Sequence, residues 1–127
     1  MNYFKQNIED LVLKNLYFRQ VLFTSQHAQV VVMHLNPDEE IGEEIHEIVD
    51  QFIRIEKGQG KAIINGKEVL LSNGDALVIP AQTKHNIINT SSENPLKIYT
   101  IYSPPHHRDG TVHRTKIEAE KDKKDHI

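Results

Sequence analysis

Two short stretches of this 127-residue chain concentrate the residues that can do chemistry. The first, EEIHEIVDQF, carries Glu44, His46 and Gln51. Glu44 and His46 are two apart, so on an extended segment their side chains leave the backbone on the same side. Gln51 opens an apolar run in which Gln51, Ile53 and Ile55 share one face, while Phe52, Arg54 and Glu56 share the other. Carboxylate, imidazole and amide oxygen can each hold a divalent ion. They are equally the polar groups that end a strand at a sheet rim, and these three residues alone leave both readings open. The second stretch, GDALVIPAQTKHNIIN, runs from Gly74 through Pro80 to His85. There His85, Ile87 and Asn89 fall on one face. An inward histidine is more often a hydrogen-bonded core residue than a ligand. Two such clusters on one small chain move the balance toward a site.

The remaining candidates are weaker. His34 shares the parity of Val30 and Val32, which would bring it inside as a general base. A hydrogen-bonded strand histidine is the plainer reading. Arg54 and Lys84 would suit an anionic substrate, but each alternates away from its inward neighbour and reads as solvated. Asp50 reads as outward. Tyr99 and Tyr102 differ in parity, so at most one lines an interior. PPHHRDGTVH gathers His106, His107 and His113, yet adjacent histidines on an extended chain point apart, and the segment reads as a surface loop. No nucleophile elbow and no phosphate-cradling glycine loop is present.

These residues need elements to position them. NIEDLVLKNLYF, Asn7 to Phe18, places Ile8, Leu11, Val12 and Leu16 at helical spacing, with Asn7 as the cap. β-rich runs follow: RQVLFTS and AQVVVMHLN as a hairpin, then DQFIRIEKG, GKAIINGKEVLLS, ALVIP, KHNIINTS and LKIYTIYS. Asn65-Gly66 marks a tight hairpin turn, and NGD at Asn73 to Asp75 a second turn. Seven or eight strands with no helix between them predict an all-β sandwich or barrel. The expected organisation is a helical segment over 1–18, a barrel over 19–115 and a charged, solvated tail over 116–127.

Composition narrows the chemistry. The chain has no cysteine, which removes disulfides, thiolate zinc sites and cysteine nucleophiles together. The net charge of -3 offers no basic face for nucleic acid. No apolar run approaches the roughly 18 residues of a membrane span. MNYFKQNIED lacks an apolar signal core, so the default expectation is a cytoplasmic protein. The length is expected to leave no room for an attached DNA-binding domain.

The two stretches together resemble the cupin superfamily. Its first motif is Gly, five residues, His-x-His, three or four residues, Glu, six residues, Gly. Here Glu44, His46, Gln51 and Gly58 keep that spacing, with Glu44 for the first histidine, Gln51 for the glutamate and Asp38 for the opening glycine. The second motif is Gly, five residues, Pro-x-Gly, two residues, His, three residues, Asn. Gly74, Pro80, His85 and Asn89 match it, with Gln82 in place of the second glycine. The wording GEEIHEIVDQF and IYSPPHHRDGTVH further resembles small mannose-6-phosphate-isomerase-like cupins. The resemblance implies a single jelly-roll barrel, or double-stranded β-helix, with a short N-terminal helix. It implies a metal on Glu44, His46, Gln51 and His85. That ligand set carries one carboxylate and two imidazoles, the same -1 as the usual three imidazoles and one carboxylate, and it suits Fe(II), Mn(II), Ni(II) or Zn(II).

The function expected on that basis is a sugar or sugar-phosphate isomerase or lyase, in which a divalent ion polarises a hydroxy-carbonyl group. His34 or an unliganded Glu44 are the candidates for its base. An iron-dependent dioxygenase is the second enzymatic reading, since two imidazoles and one carboxylate make its ligand set. A non-enzymatic barrel that binds or senses a small ligand is the third. Cupins commonly pair through their sheets, and Phe52 and Ile88 offer outward apolar surface for a homodimer.

Overall fold

A computed structural model describes residues 2–125. Its elements are α1 (Ile8–Lys14), β1 (Arg19–Thr24), β2 (Gln29–Leu35), β3 (Asp50–Lys57), β4 (Gly60–Ile64), β5 (Lys67–Leu71), β6 (Ala76–Ile79), β7 (His85–Asn89), β8 (Leu96–Ser103), β9 (Val112–His113) and α2 (Lys116–Lys121). Two antiparallel sheets face each other. One runs β6-β3-β8-β2-β1-β9 and the other β5-β4-β7. This is the expected all-β sandwich of cupin type. Between the sheets lie Val31, Met33, Leu35, Ile53, Ile55, Ala62, Ile79, Ile87 and Ile98, all buried.

The period-two reading holds strand by strand. Gln51, Ile53 and Ile55 are buried on β3, and His85, Ile87 and Asn89 on β7. Asn65 and Gly66, at φ 50° and 83°, make the β4–β5 turn; both central residues are left-handed, which matches the twist of the flanking strands. Asn89 ties down the loop that follows it. Its amide donates to the carbonyls of Leu35, Asn36 and Asn94, and its oxygen accepts from the Ser91 N–H.

Three expectations need correction. The N-terminal helix is capped by the Asn7 side chain as predicted, but it ends at Lys14 rather than reaching Phe18. Asn15 stops it by pairing with both the N–H and the C=O of Tyr17 in a local turn. Leu16 is consequently 73% exposed instead of facing the core. The inward parity of β2 belongs to Gln29, Val31, Met33 and Leu35, so His34 faces the α1 side and not the barrel. The C-terminal segment is not wholly solvated: α2 has no fully buried residue but rests Ala119 against the core, and the chain then returns and buries Asp125.

Candidate metal centre

The two motif segments are stitched together before any side chain is considered. Glu44 and His85 form an antiparallel bridge and exchange both backbone hydrogen bonds, at 2.8 and 2.9 Å. The Gln82 N–H donates to the His46 carbonyl at 2.7 Å, and the Ala81 N–H to the outward Asp50 carboxylate at 2.8 Å. Residues directly opposite in such a bridge present their side chains to the same face. Glu44, His46 and His85 therefore converge on one spot. The rings of His46 and His85 lie 5.2 Å apart, and the Glu44 carboxylate is 3.9 Å from His46 Nε2. Two further departures from the motif are explained here. Asp38 and Gln82 stand where glycines are usual, and both adopt the left-handed φ of 64° and 68°. Glycine's identity is lost, but its conformation is kept.

Gln51 enters from β3. Its Nε2 donates to Thr100 Oγ1 at 3.1 Å and to the Tyr102 hydroxyl at 3.4 Å. Both donors of the amide are thereby used, while buried Oε1 has no hydrogen-bond partner among the described residues. His85 follows the same pattern. Its Nδ1 lies 2.8 Å from the Thr83 carbonyl and must be the protonated nitrogen, because a carbonyl accepts only. Nε2 is then a bare lone pair, buried and without a hydrogen-bond partner among the described residues. Buried polar atoms left open cost stability, on the order of 1–3 kcal/mol each. An imidazole fixed through one nitrogen with the other bare is how histidines are presented to metals. The donor set fits a divalent ion.

Gln29 makes the contrast clear. It lies one strand away, across Tyr102, and is fully buried. Its amide donates to Thr24 Oγ1 and to the His107 carbonyl, and its oxygen accepts from the N–H groups of His106 and His107. Every capacity is filled, so Gln29 is a clamp and Gln51 is not.

That clamp holds the residue the spacing argument missed. His106 lies with its ring centre 4.2 Å from that of His46, and Glu44, His46 and His106 each offer a ligand atom within 4.8 Å of one another. PPHH is therefore no free surface loop. The only signal in the sequence was its place shortly after Tyr102, beyond Ser103. His107 is fully buried; its Nδ1 meets Asp125 at 2.7 Å and its Nε2 meets the Tyr102 hydroxyl at 3.3 Å. His113 pairs with Asp122 at 2.9 Å, and Arg19 lies 3.3 Å from its other nitrogen. His106, His107 and His113 thus go to three different settings. Burial works against the charge of Asp125, but the hydrogen bond from His107, the positive charge of His107 and the nearby Arg19 outweigh it and hold the carboxyl well below the usual range. Burial pushes the Tyr102 hydroxyl up, so it stays protonated.

His34 lies elsewhere. Lys97 Nζ sits 3.1 Å from His34 Nδ1 and donates to the Asn15 carbonyl at 2.8 Å. With an ammonium facing Nδ1, the imidazole proton belongs on Nε2, which meets Asn36 Oδ1 at 3.2 Å. Burial first, and the Lys97 charge second, lower its pKa below the ordinary 6.5. Nothing aims His34 at the Glu44–His46–His85 spot. Lys84 is exposed and pairs with Glu43, and Arg54 with Glu56.

The family model described as a cupin domain matches residues 31–102. The uncharacterized protein YrkC of Bacillus subtilis (strain 168) is 45% identical over 122 residues, covering 91% of this chain and 65% of that protein. The uncharacterized protein L612 of Acanthamoeba polyphaga mimivirus is 48% identical over 110 residues, covering 84% and 68% respectively. The chain thus spans about two thirds of the length of these relatives. The crystal structure of BH2720 from Bacillus halodurans is similar at a TM-score of 0.92, with 41% identity over 95% of this chain and 96% of that one. Among the described residues, no helix is long and apolar enough to cross a membrane.

Proposed function

This chain belongs to the cupin family, and on that premise we propose that it holds a divalent transition metal on Glu44, His46, Gln51 and His85 and acts on a small sugar or sugar-phosphate. The observation that carries the reading is the pair of buried, open ligand atoms, Gln51 Oε1 and His85 Nε2. Fe(II), Mn(II), Ni(II) and Zn(II) all suit two imidazoles with oxygen donors. Once bound, such an ion supplies Lewis-acid polarisation of a hydroxy-carbonyl group. The chain's own residues do the rest. Thr83 fixes the His85 tautomer, and Thr100 and Tyr102 turn the Gln51 amide. His106, partly exposed and held by Gln29, takes the role of base that the sequence had offered to His34. The same two imidazoles and one carboxylate also form the ligand set of iron oxygenases, and oxygen-sensitive bound iron would favour that reaction class. If metal binds but no substrate turns over, the barrel is a small-ligand binding module.

A homodimer is part of this reading. The register sets Val78, Phe52, Ile101 and Val30 in one outward row across β6, β3, β8 and β2, and Val78 is 64% exposed. Light scattering of Val78→Glu should show monomer where the parent shows dimer.

Elemental analysis of untagged protein tests the metal. The parent should carry about one ion per chain and His46→Ala and His85→Ala little or none. Equal content in all three would sink the site. Screening sugar phosphates and small keto acids with the metal restored tests the reaction, and His106→Ala should keep the metal while losing turnover.

A further inference from the structure

β8 carries a buried charge that the sheet does not balance. Lys97 is only 8% exposed, yet its ammonium meets two neutral acceptors, the Asn15 carbonyl at 2.8 Å and His34 Nδ1 at 3.1 Å. They take two of its three N–H bonds. Among the described residues the lysines that pair with carboxylates are Lys61 and Lys84, not Lys97. The register sets His34 opposite Lys97 on one side and Lys57 opposite it on the other. Like charges directly opposite destabilise a sheet. Two nearby acids are engaged elsewhere: Glu56 pairs with Arg54, and Glu39 accepts from the Asn36 N–H. Burial first, and the Lys57 charge second, pull the Lys97 ammonium below its ordinary pKa. Holding the end of α1 accounts for the Asn15 contact, but not for a second lysine facing the first.

Beside this row lies a cavity of about 430 Å³ whose walls include Lys57, Lys97, Asn73, Ser91 and Asn94. Its polar walls are set to donate. Ser91 Oγ accepts from the N–H groups of Glu93 and Asn94, which leaves its own proton to give. Asn73 Oδ1 accepts from the Gly58 N–H at 2.7 Å, which leaves its NH₂. A buried cation faced by a like charge and ringed by donors lacks a counter-ion. We infer that this cavity binds a small dianionic oxyanion, a phosphate monoester or a dicarboxylate, between Lys97 and Lys57. Lys57 ends β3 at the opposite end from Gln51, about 20 Å along the strand, so the anion site is separate from the metal position and does not depend on it.

Nitrogen-15 spectra of the full-length protein test this, with inorganic phosphate, succinate or sodium chloride added at equal ionic strength. Phosphate or succinate should shift the amides of Gly58, Gln59, Asn73 and Ser91 along a saturable curve, and chloride should not. Whichever anion binds more tightly separates the phosphate source from the dicarboxylate. Lys97→Met should weaken binding by about 10- to 100-fold, the cost of a lost charged hydrogen bond. Exposed Lys57 contributes less, and Lys57→Gln should weaken binding by about 1.5- to 5-fold. Lys57→Glu is the sharper variant, because it sets a carboxylate opposite Lys97 within the sheet. It should melt above the parent in chloride and lose the rise in melting temperature that the anion gives the parent. Lying on an exposed residue, it also serves if Lys97→Met fails to fold. Equal shifts with chloride, shifts confined to residues around Glu44 and His46, or a Lys57→Glu variant that keeps the parent's anion response would each overturn the anion site.

Discussion

Replacing Gly58, Gly60 and Gly66 one at a time with alanine separates two costs that glycine normally hides together. Gly66 has φ +83° and nothing within 4 Å of an added Cβ, so its substitution costs conformation alone. A left-handed alanine costs about 1–2 kcal/mol, and about 0.4–1 returns through the stiffer unfolded chain. The net is roughly 0.5–1 kcal/mol. Gly60 has an ordinary φ, but its Cβ would lie 2.6 Å from the Ile88 carbonyl oxygen and 3.0 Å from Leu96 Cδ2. It costs contact alone, about 1–3 kcal/mol by the measure of overpacked cores, less the same entropic return. Gly58 carries both. Its φ is +115°, and its Cβ would lie 2.7 Å from the Pro95 carbonyl oxygen and 3.1 Å from Leu96 Cα, backbone atoms that cannot swing aside. We expect Gly58→Ala to lose about 2–4 kcal/mol. Urea midpoints at unchanged m-value read all three. Gly58→Ala proving no worse than Gly66→Ala would refute the reasoning.

Other expectations follow from the same structure. Gln82→Gly relieves a left-handed residue without touching the N–H that holds His46, so it should be neutral or stabilising by up to about 1 kcal/mol in thermal melts, and a clear loss would mean the side chain does more than fill space. His34 has a lowered folded pKa, so the unfolded chain takes its proton first. Stability should therefore fall as pH drops through about 6.5 toward the folded value, with no His34 contribution above that window, and His34→Gln should flatten this part of the urea-midpoint profile. Parallel profiles would contradict it. Gln51→Leu removes an open buried carbonyl, so without metal it should melt at or above the parent. With metal at about a hundred times Kd the parent gains roughly 2.7 kcal/mol and the order should reverse. Melting curves that keep the same order with and without metal would count against Oε1 as a ligand.

The strands were legible because alternation on β3, β7 and β8 is decided by one buried face, and a one-residue slip would expose Ile53, Ile87 and Ile98 together. The two site stretches were legible as a pair through their resemblance to the two cupin motifs, down to Gly58 and Asn89. His34 misled because β2 is covered on both faces. Val32 is as buried as Val31, and an apolar run buried on both sides carries no parity signal. His106, His107 and Asp125 were hidden for a different reason. Their places depend on Gln29, Arg19 and Tyr102, contacts far apart in the chain that no local pattern encodes. Charge in the tail suggested solvent, and the sequence offered no sign that one of its carboxylates had a buried imidazole waiting.

The most direct test of the central claim is anomalous diffraction from crystals grown with Zn(II) or Co(II), measured at the metal's absorption edge. One strong peak should appear about 2.0–2.2 Å from His46 Nε2, His85 Nε2 and Gln51 Oε1, with a Glu44 oxygen completing the set. A peak instead at His113, Asp122 and Asp125, or none beside His46 and His85, would contradict it.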